Sequence, residues 1–191
     1  MKTYLFHFSW ILMVAIGIWK TSEFTYTPGA SVTDISKFPA SSKLNAKTLQ
    51  PTLLVFLHPK CSCSSSTLEE LKRLLPELTK VRVVVVFGQP PGRDPAWTKS
   101  ELWEKAQNLK GTELFLDKNN AEMSLFKIST SGQAFLFNAE DELVYSGGLT
   151  PGRGHEGVND GQVFIREWLK KPSRKSFFDH VFGCGIFGEK V

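Results

Sequence analysis

Cys61 and Cys63 stand one serine apart in LLVFLHPKCSCSSSTLEE (53–70), between an apolar run and a group of helix-capping residues. A thiol acts as nucleophile or metal ligand through its thiolate, and the positive end of a helix favours that form. Placement at a helix start therefore makes Cys61 the candidate attacking sulfur. Cys63 has three readings: it resolves a mixed disulfide with Cys61, ligates a metal beside it, or simply packs. Ser64 either donates a hydrogen bond to the Cys61 thiolate or caps the helix. The third cysteine, Cys184, lies in HVFGCGIF beside Phe182, Ile186 and Phe187. It is either a buried anchor for the chain's end or a distant resolving thiol folded back onto Cys61. Three cysteines are too few for a disulfide-stapled scaffold and suit thiols with individual tasks.

A second unusual stretch is TPGRGHEGVN (150–159), where Arg153, His155, Glu156 and Asn159 sit among three glycines. The plain reading is a loop ending in an Asn helix cap. The chemical reading is a substrate-binding loop containing Arg153, His155 and Glu156. There Arg153 lowers a thiol pKa or holds an anionic group, and His155 moves protons or binds a metal. His58, three residues before Cys61, either tunes that thiol or ends a strand at the surface. His180 has only its nearness to Cys184.

These residues need a scaffold, and the chain supplies alternating strands and helices. Strands are expected at 52–58, 81–87, 112–117, 133–138 and 142–146, the last two forming a hairpin. Helices are expected at 66–75, 99–109, 121–127 and 159–169. Ser66 with Glu69 and Thr67 with Glu70 both fit a capping box for the first of these. The continuous apolar runs of the first two strands call for cover on both sheet faces. The pattern is α/β: a central mixed sheet with helices on both faces.

The 191 residues are 41% hydrophobic and 22% charged, a globular composition with a net charge of +4. Lys170, Lys171, Arg174 and Lys175 read as a solvated helix end, and no nucleic-acid-binding motif occurs. Residues 4–19, YLFHFSWILMVAIGIW, form an uncharged run with His7 neutral, bounded by Lys2 and Lys20. It is short for a membrane span and long for a signal-peptide core, and no A-x-A cleavage site follows. An uncleaved anchor over 1–20 is favoured over a cleaved signal. The expected organisation continues with a Ser/Thr/Pro-rich tether (21–50), the α/β domain (51–171) and a Phe-rich tail (172–191). Flanking charges barely set an orientation. A thiol-bearing domain behind such a segment suits the periplasmic or extracytoplasmic side.

A buried strand, a cysteine motif at a helix start, a hairpin and a closing helix resemble the thioredoxin-like superfamily over 52–169. The helix and strand inserted before the short third helix look like those of membrane-tethered TlpA-type redoxins. HPKCSCSSS, STSGQAFLFN and SGGLTPGRGHEG look like the RedB-like proteins. The resemblance implies a thioredoxin-like fold, thiol–disulfide exchange through Cys61, and a protein or small-molecule disulfide as partner. Two departures from the superfamily pattern stand out. Ser64 occupies the usual place of the second cysteine, and Gly132 that of the cis-proline beside the reactive thiol. Glycine there leaves the backbone freer and the space beside Cys61 emptier.

Three functions follow as expectations. The first is a membrane-anchored thiol–disulfide oxidoreductase or reductant-transfer protein without a cofactor, using Cys61, Cys63, Ser64 and Cys184. The second is a copper-binding module holding Cu(I) through Cys61 and Cys63 with His155, Cys184 or His58. The third is a non-catalytic binding scaffold.

Overall fold

The computed structural model describes residues 2–44 and 49–186. Its elements run α1 (Lys2–Tyr26), β1 (Thr52–Leu57), α2 (Ser62–Leu74), β2 (Arg82–Gln89), α3 (Pro95–Thr98) and α4 (Glu101–Gln107). They continue with β3 (Thr112–Lys118), α5 (Ala121–Leu125), β4 (Ala134–Phe137), β5 (Leu143–Gly147), α6 (Asp160–Lys170) and β6 (Phe177–Phe178). The six strands form one sheet in the order β3-β2-β1-β4-β5-β6. β1, β2 and β3 are parallel, β4 is antiparallel to both β1 and β5, and β6 adds parallel to β5.

β1 is apolar throughout because it lies inside this sheet with both faces covered. Leu53, Val55 and Leu57 enter one core with Leu71, Leu74, Ile165 and Trp168. Leu54 and Phe56 enter the other with Phe126, Phe135, Phe137 and Ile186. The strand period of two divides the run between the faces. The second core is roofed partly by the N-terminal segment, whose Val32, Phe38 and Leu44 are buried in it. Phe38 meets Phe126 edge-on at 5.5 Å and Phe137 at 4.7 Å. Residues 27–44 thus pack on the domain: Phe38 N–H donates to Asp141 (2.8 Å), and Gly29 N–H to Val181 (2.8 Å).

α2 begins four residues earlier than its capping pattern suggests. Cys61 is the N-cap residue, in extended backbone (φ −102°, ψ 123°) and without a side-chain cap bond. Neither expected capping box starts the helix, since Ser66 and Thr67 lie inside it. The Thr67 hydroxyl instead bonds back to the Cys63 carbonyl at 3.3 Å. The apolar face of α2 is held by the sheet, so packing outweighs the local serine preference for a cap. Cys63 consequently lies in the first helical turn.

β6, which local patterning missed, is only two residues long and depends on aromatic stacking. Phe177 lies 5.0 Å from Phe164 and 6.2 Å from Tyr145, ring centre to ring centre. From there the chain crosses back over the sheet's end. Asp179 N–H bonds to Ser146 (2.9 Å), Gly148 N–H to His180 (2.9 Å), and Ile186 N–H to Ser129 (2.8 Å).

Phe126 joins the N-terminal segment to the sheet. Phe126→Ala should cost about 3–5 kcal/mol, the usual range for a buried phenylalanine. A lowered denaturation midpoint, with faster proteolysis within 27–44 than in the rest of the domain, is the expected outcome.

Candidate active site

The turn after β1 ends the strand at Leu57, and the Cys61 N–H donates to the His58 carbonyl at 3.2 Å. This brings Cys61 to the head of α2. Cys63 follows one turn position later. Cys184 arrives from the other side, on a tail segment laid antiparallel to 129–131. Thr130 pairs with Gly185, and the Ser131 N–H donates to the Cys184 carbonyl at 2.9 Å. The three sulfurs lie within 4.8 Å of one another, and all three thiols are free. Cys61 and Cys63 are buried and Cys184 is half-buried.

Glycine at 183 is what permits this approach. A Cβ there would sit 1.8 Å from the Ser131 carbonyl oxygen, a backbone clash no rotamer relieves. Gly132 serves a different end. Its φ is +94°, and its N–H donates to the Phe56 carbonyl at 2.8 Å. Proline could neither adopt that φ nor donate that bond. No cis peptide occurs among the described residues. The space expected to be open is also filled: a Cβ on Gly132 would meet Thr67 Oγ1 at 3.1 Å and the Phe182 carbonyl at 3.7 Å. The tail runs where emptiness was expected.

The electrostatics single out Cys61. Its pKa is driven down first by the Cys184 thiol, then by Cys63, and further by the Ser64 and Cys184 backbone amides, against the cost of burial. Cys184 is driven up because it donates to Cys61 and Cys63 and is partly desolvated. For Cys63, the lowering effect of Cys184 is outweighed by donation to Cys61, by burial and by the nearby Cys61 charge; Arg153 also favours its thiolate. One thiolate with two neutral donors is the arrangement these shifts describe. Cys61 also lines an open groove of about 350 Å³ with Pro59, Lys60, Ser62, Ser65, Ser100, Glu101, Leu102 and Lys105. That groove gives the buried sulfur a route to solvent.

The other expected site residues take different places. The Ser64 hydroxyl pairs with the Ser131 hydroxyl at 2.7 Å, so Ser64 serves Cys61 through its backbone N–H. Arg153 is buried and reaches the tail and α1: Nη1 donates to the Gly183 carbonyl (2.6 Å) and Nε to Thr27 (3.2 Å). His155 stands outside the sulfur group, which takes its third member from Cys184. The loop turns through Gly154 and Gly157, both at positive φ. This leaves His155 Nδ1 on the Arg153 carbonyl (2.9 Å) and its ring 6.1 Å from Tyr26. Glu156 pairs with Arg73 at the surface. His58 accepts from the Lys60 N–H through Nδ1 at 3.2 Å and packs edge-on against Trp97. Burial lowers its pKa although the Cys61 charge opposes this.

Two supporting residues, Ser131 and Gln162, escaped the sequence reading, and a third, Glu70, was read there only as a capping-box partner. Ser131 accepts from the His58 N–H (2.8 Å) and meets Ser64, fixing the strand end to the helix. Glu70 is buried and binds Arg73, the Gly157 N–H (2.7 Å) and Gln162 Nε2 (3.0 Å). Gln162 also donates to the Leu149 carbonyl at 2.8 Å. Glu70's position next to Leu71, in a helix otherwise buried on that side, was the available clue.

No protein-family model matches the sequence, and no curated protein shows significant similarity to it. Solved structures do match. A hypothetical protein from Sinorhizobium meliloti superposes with a TM-score of 0.59 at 19% identity, over 84% of this chain and 93% of that one. An uncharacterised conserved protein from Geobacillus kaustophilus gives 0.58 at 15% identity, over 87% and 94%. A putative thioredoxin from Neisseria meningitidis gives 0.49 at 17% identity, over 78% and 93%. The strand order itself, with β1, β2 and β3 parallel and β4 and β5 an antiparallel pair, is that of a thioredoxin-like α/β fold. Within that fold, the thiol at the head of α2 is Cys61, and Cys184 comes from a tail added after α6.

At pH 6 an ordinary thiol is only on the order of 0.3% thiolate. Cys61 has a depressed pKa, so its thiolate persists as pH falls through the usual thiol range. Its alkylation by iodoacetamide, followed by peptide mass spectrometry, should differ by no more than about threefold between pH 8 and pH 6. Gly183→Ala, which displaces Cys184, should restore a drop of about tenfold or more over the same interval.

Proposed function

We propose that the protein is a thiol–disulfide oxidoreductase in which Cys61 attacks and Cys184 resolves. The observation that carries this reading is the convergence of Cys61 and Cys184 at the head of α2 with Cys61 as the thiolate. The Cys61 thiolate attacks one sulfur of a disulfide, forming a Cys61–substrate bond and expelling the other sulfur as a thiolate. The leaving thiolate takes up a proton. Cys184, after losing its proton, attacks the Cys61 sulfur, forms a Cys61–Cys184 disulfide and releases the second substrate thiolate. Two protein thiols are oxidised as one disulfide is reduced, and the reverse sequence oxidises a dithiol. Cys63 stays close enough to share either sulfur's charge.

The partner is a protein or small-molecule disulfide. α1 acts as a membrane anchor: within residues 4–26 a stretch of 18 residues has a mean hydropathy of 1.3 and no buried residue. The domain then faces the periplasmic or another extracytoplasmic side, where disulfides persist. The likeness of HPKCSCSSS, STSGQAFLFN and SGGLTPGRGHEG to the RedB-like proteins supports this reading.

Full-length Cys63→Ser/Cys184→Ser protein, incubated with a disulfide substrate such as oxidised glutathione, should accumulate a Cys61 mixed disulfide by intact mass. Wild type should accumulate less than about a tenth as much and form Cys61–Cys184 instead. An unmodified Cys61 under oxidants that label exposed thiols overturns the proposal.

A further inference from the structure

We propose that the three sulfurs form a trigonal Cu(I) site made of Cys61, Cys63 and Cys184. This goes beyond thiol exchange and uses the cluster without needing that reaction. The donor set is all sulfur, which selects soft d10 cations, Cu(I) foremost, over hard divalent ones. The spacing also suits one ion. A metal–thiolate bond measures about 2.3 Å for zinc, and three sulfurs around one centre at that length stand about 4 Å apart. The sulfurs here already lie within 4.8 Å of each other. Closing onto an ion needs a contraction of no more than about 0.8 Å for any pair.

Two donors come from one helix start and the third from a strand-like tail held by its own backbone bonds. The site therefore joins parts of the chain more than a hundred residues apart, and an ion would hold them together. A Cu(I) trithiolate carries net negative charge. Arg153 supplies a buried compensating cation, acting on Cys63 and bonding the carbonyl of Gly183, the residue before Cys184. Its Nη2 is buried with no hydrogen-bond partner, so the guanidinium retains unused donor capacity. The groove beside Cys61 provides the entry path. Binding displaces the thiol protons, so each ion taken up releases protons from Cys63 and Cys184. No change of oxidation state is involved.

The test uses the full-length, anaerobically reduced protein in detergent, titrated with Cu(I) against a colorimetric Cu(I) chelator. X-ray absorption follows on the loaded sample. One Cu(I) per chain with three sulfur neighbours is expected. Cys184→Ser should weaken affinity at least tenfold and lower the sulfur count to two, and Cys63→Ser should do the same. Cys184→Ser keeps the backbone pairing of the tail, and proton exchange of the Ser131 amide reports whether it does. Wild-type affinity unchanged by either variant, two-sulfur coordination in wild type, or complete loss of copper to the chelator overturns the site. Mixed-disulfide trapping through Cys61 is scored separately, so failure of copper binding and failure of exchange are told apart.

Discussion

The site depends on a backbone contact before it depends on any side chain: residues 184–186 lie antiparallel to 129–131, at the entrance to β4. Ser131 bonds to the Cys184 carbonyl, Ile186 to the Ser129 carbonyl, and Thr130 pairs with Gly185. In a low-dielectric, half-buried setting, bonds of this kind fix position more than they add net stability. Their effect here is to deliver a thiol to a sulfur at a helix head. The contact survives only with hydrogen at the Cα of residue 183, because the Ser131 carbonyl occupies the place of a side chain. Glycine at 132 is the matching condition on the opposing strand, where its N–H extends the ladder from Phe56.

This contact also explains why Cys61 is the charged member of the three. A helix start alone favours a thiolate modestly. Two thiol donors and two amides converging on one sulfur favour it strongly, and each donor is penalised for giving up its proton. Cys61 and Cys184 thus shift in opposite directions for one cause. A chain with Cys61 at the same place but no tail would retain the helix and the Ser64 amide, and lose the larger contribution.

Much of the fold was legible because it is written locally. The division of β1 between two cores follows from Leu53–Leu57 being apolar at every position, and the alternation of strands with helices follows from turn residues between periodic runs. The start of α2 was less legible, since Ser64, Ser66 and Thr67 all offer caps, and only the packing of Leu68 and Leu71 against the sheet selects Ser62. The place of Cys184 was legible only as one of two alternatives, an anchor for the tail or a thiol folded back onto Cys61. It is set by a sequence of nonlocal pairings from Phe177 through Val181 to Ile186, and a pair of residues more than a hundred positions apart leaves no periodic trace. Arg153 and Glu156 looked alike as loop charges, yet one is buried under the tail and the other lies at the surface beside Arg73. Only tertiary contact separates them.

The same contacts connect the sulfur cluster to α1. Arg153 receives the end of that helix twice, donating its own N–H to the Thr25 carbonyl at 3.0 Å and Nε to the Thr27 carbonyl. Its ring contact with Phe24, 5.0 Å from guanidinium to ring centre, adds a third attachment. Through Nη1 it holds Gly183. One guanidinium therefore ties the apolar helix to the residue that precedes Cys184, and Gly29 bonding to Val181 repeats the tie a few residues away. A helix whose end is held this way cannot swing freely on a long linker. The domain is held close to the end of α1, with the tail joined to the same guanidinium, and the groove beside Cys61 opens on the side lined by α4. The residues that line the thiolate's groove are thereby different from those that hold α1.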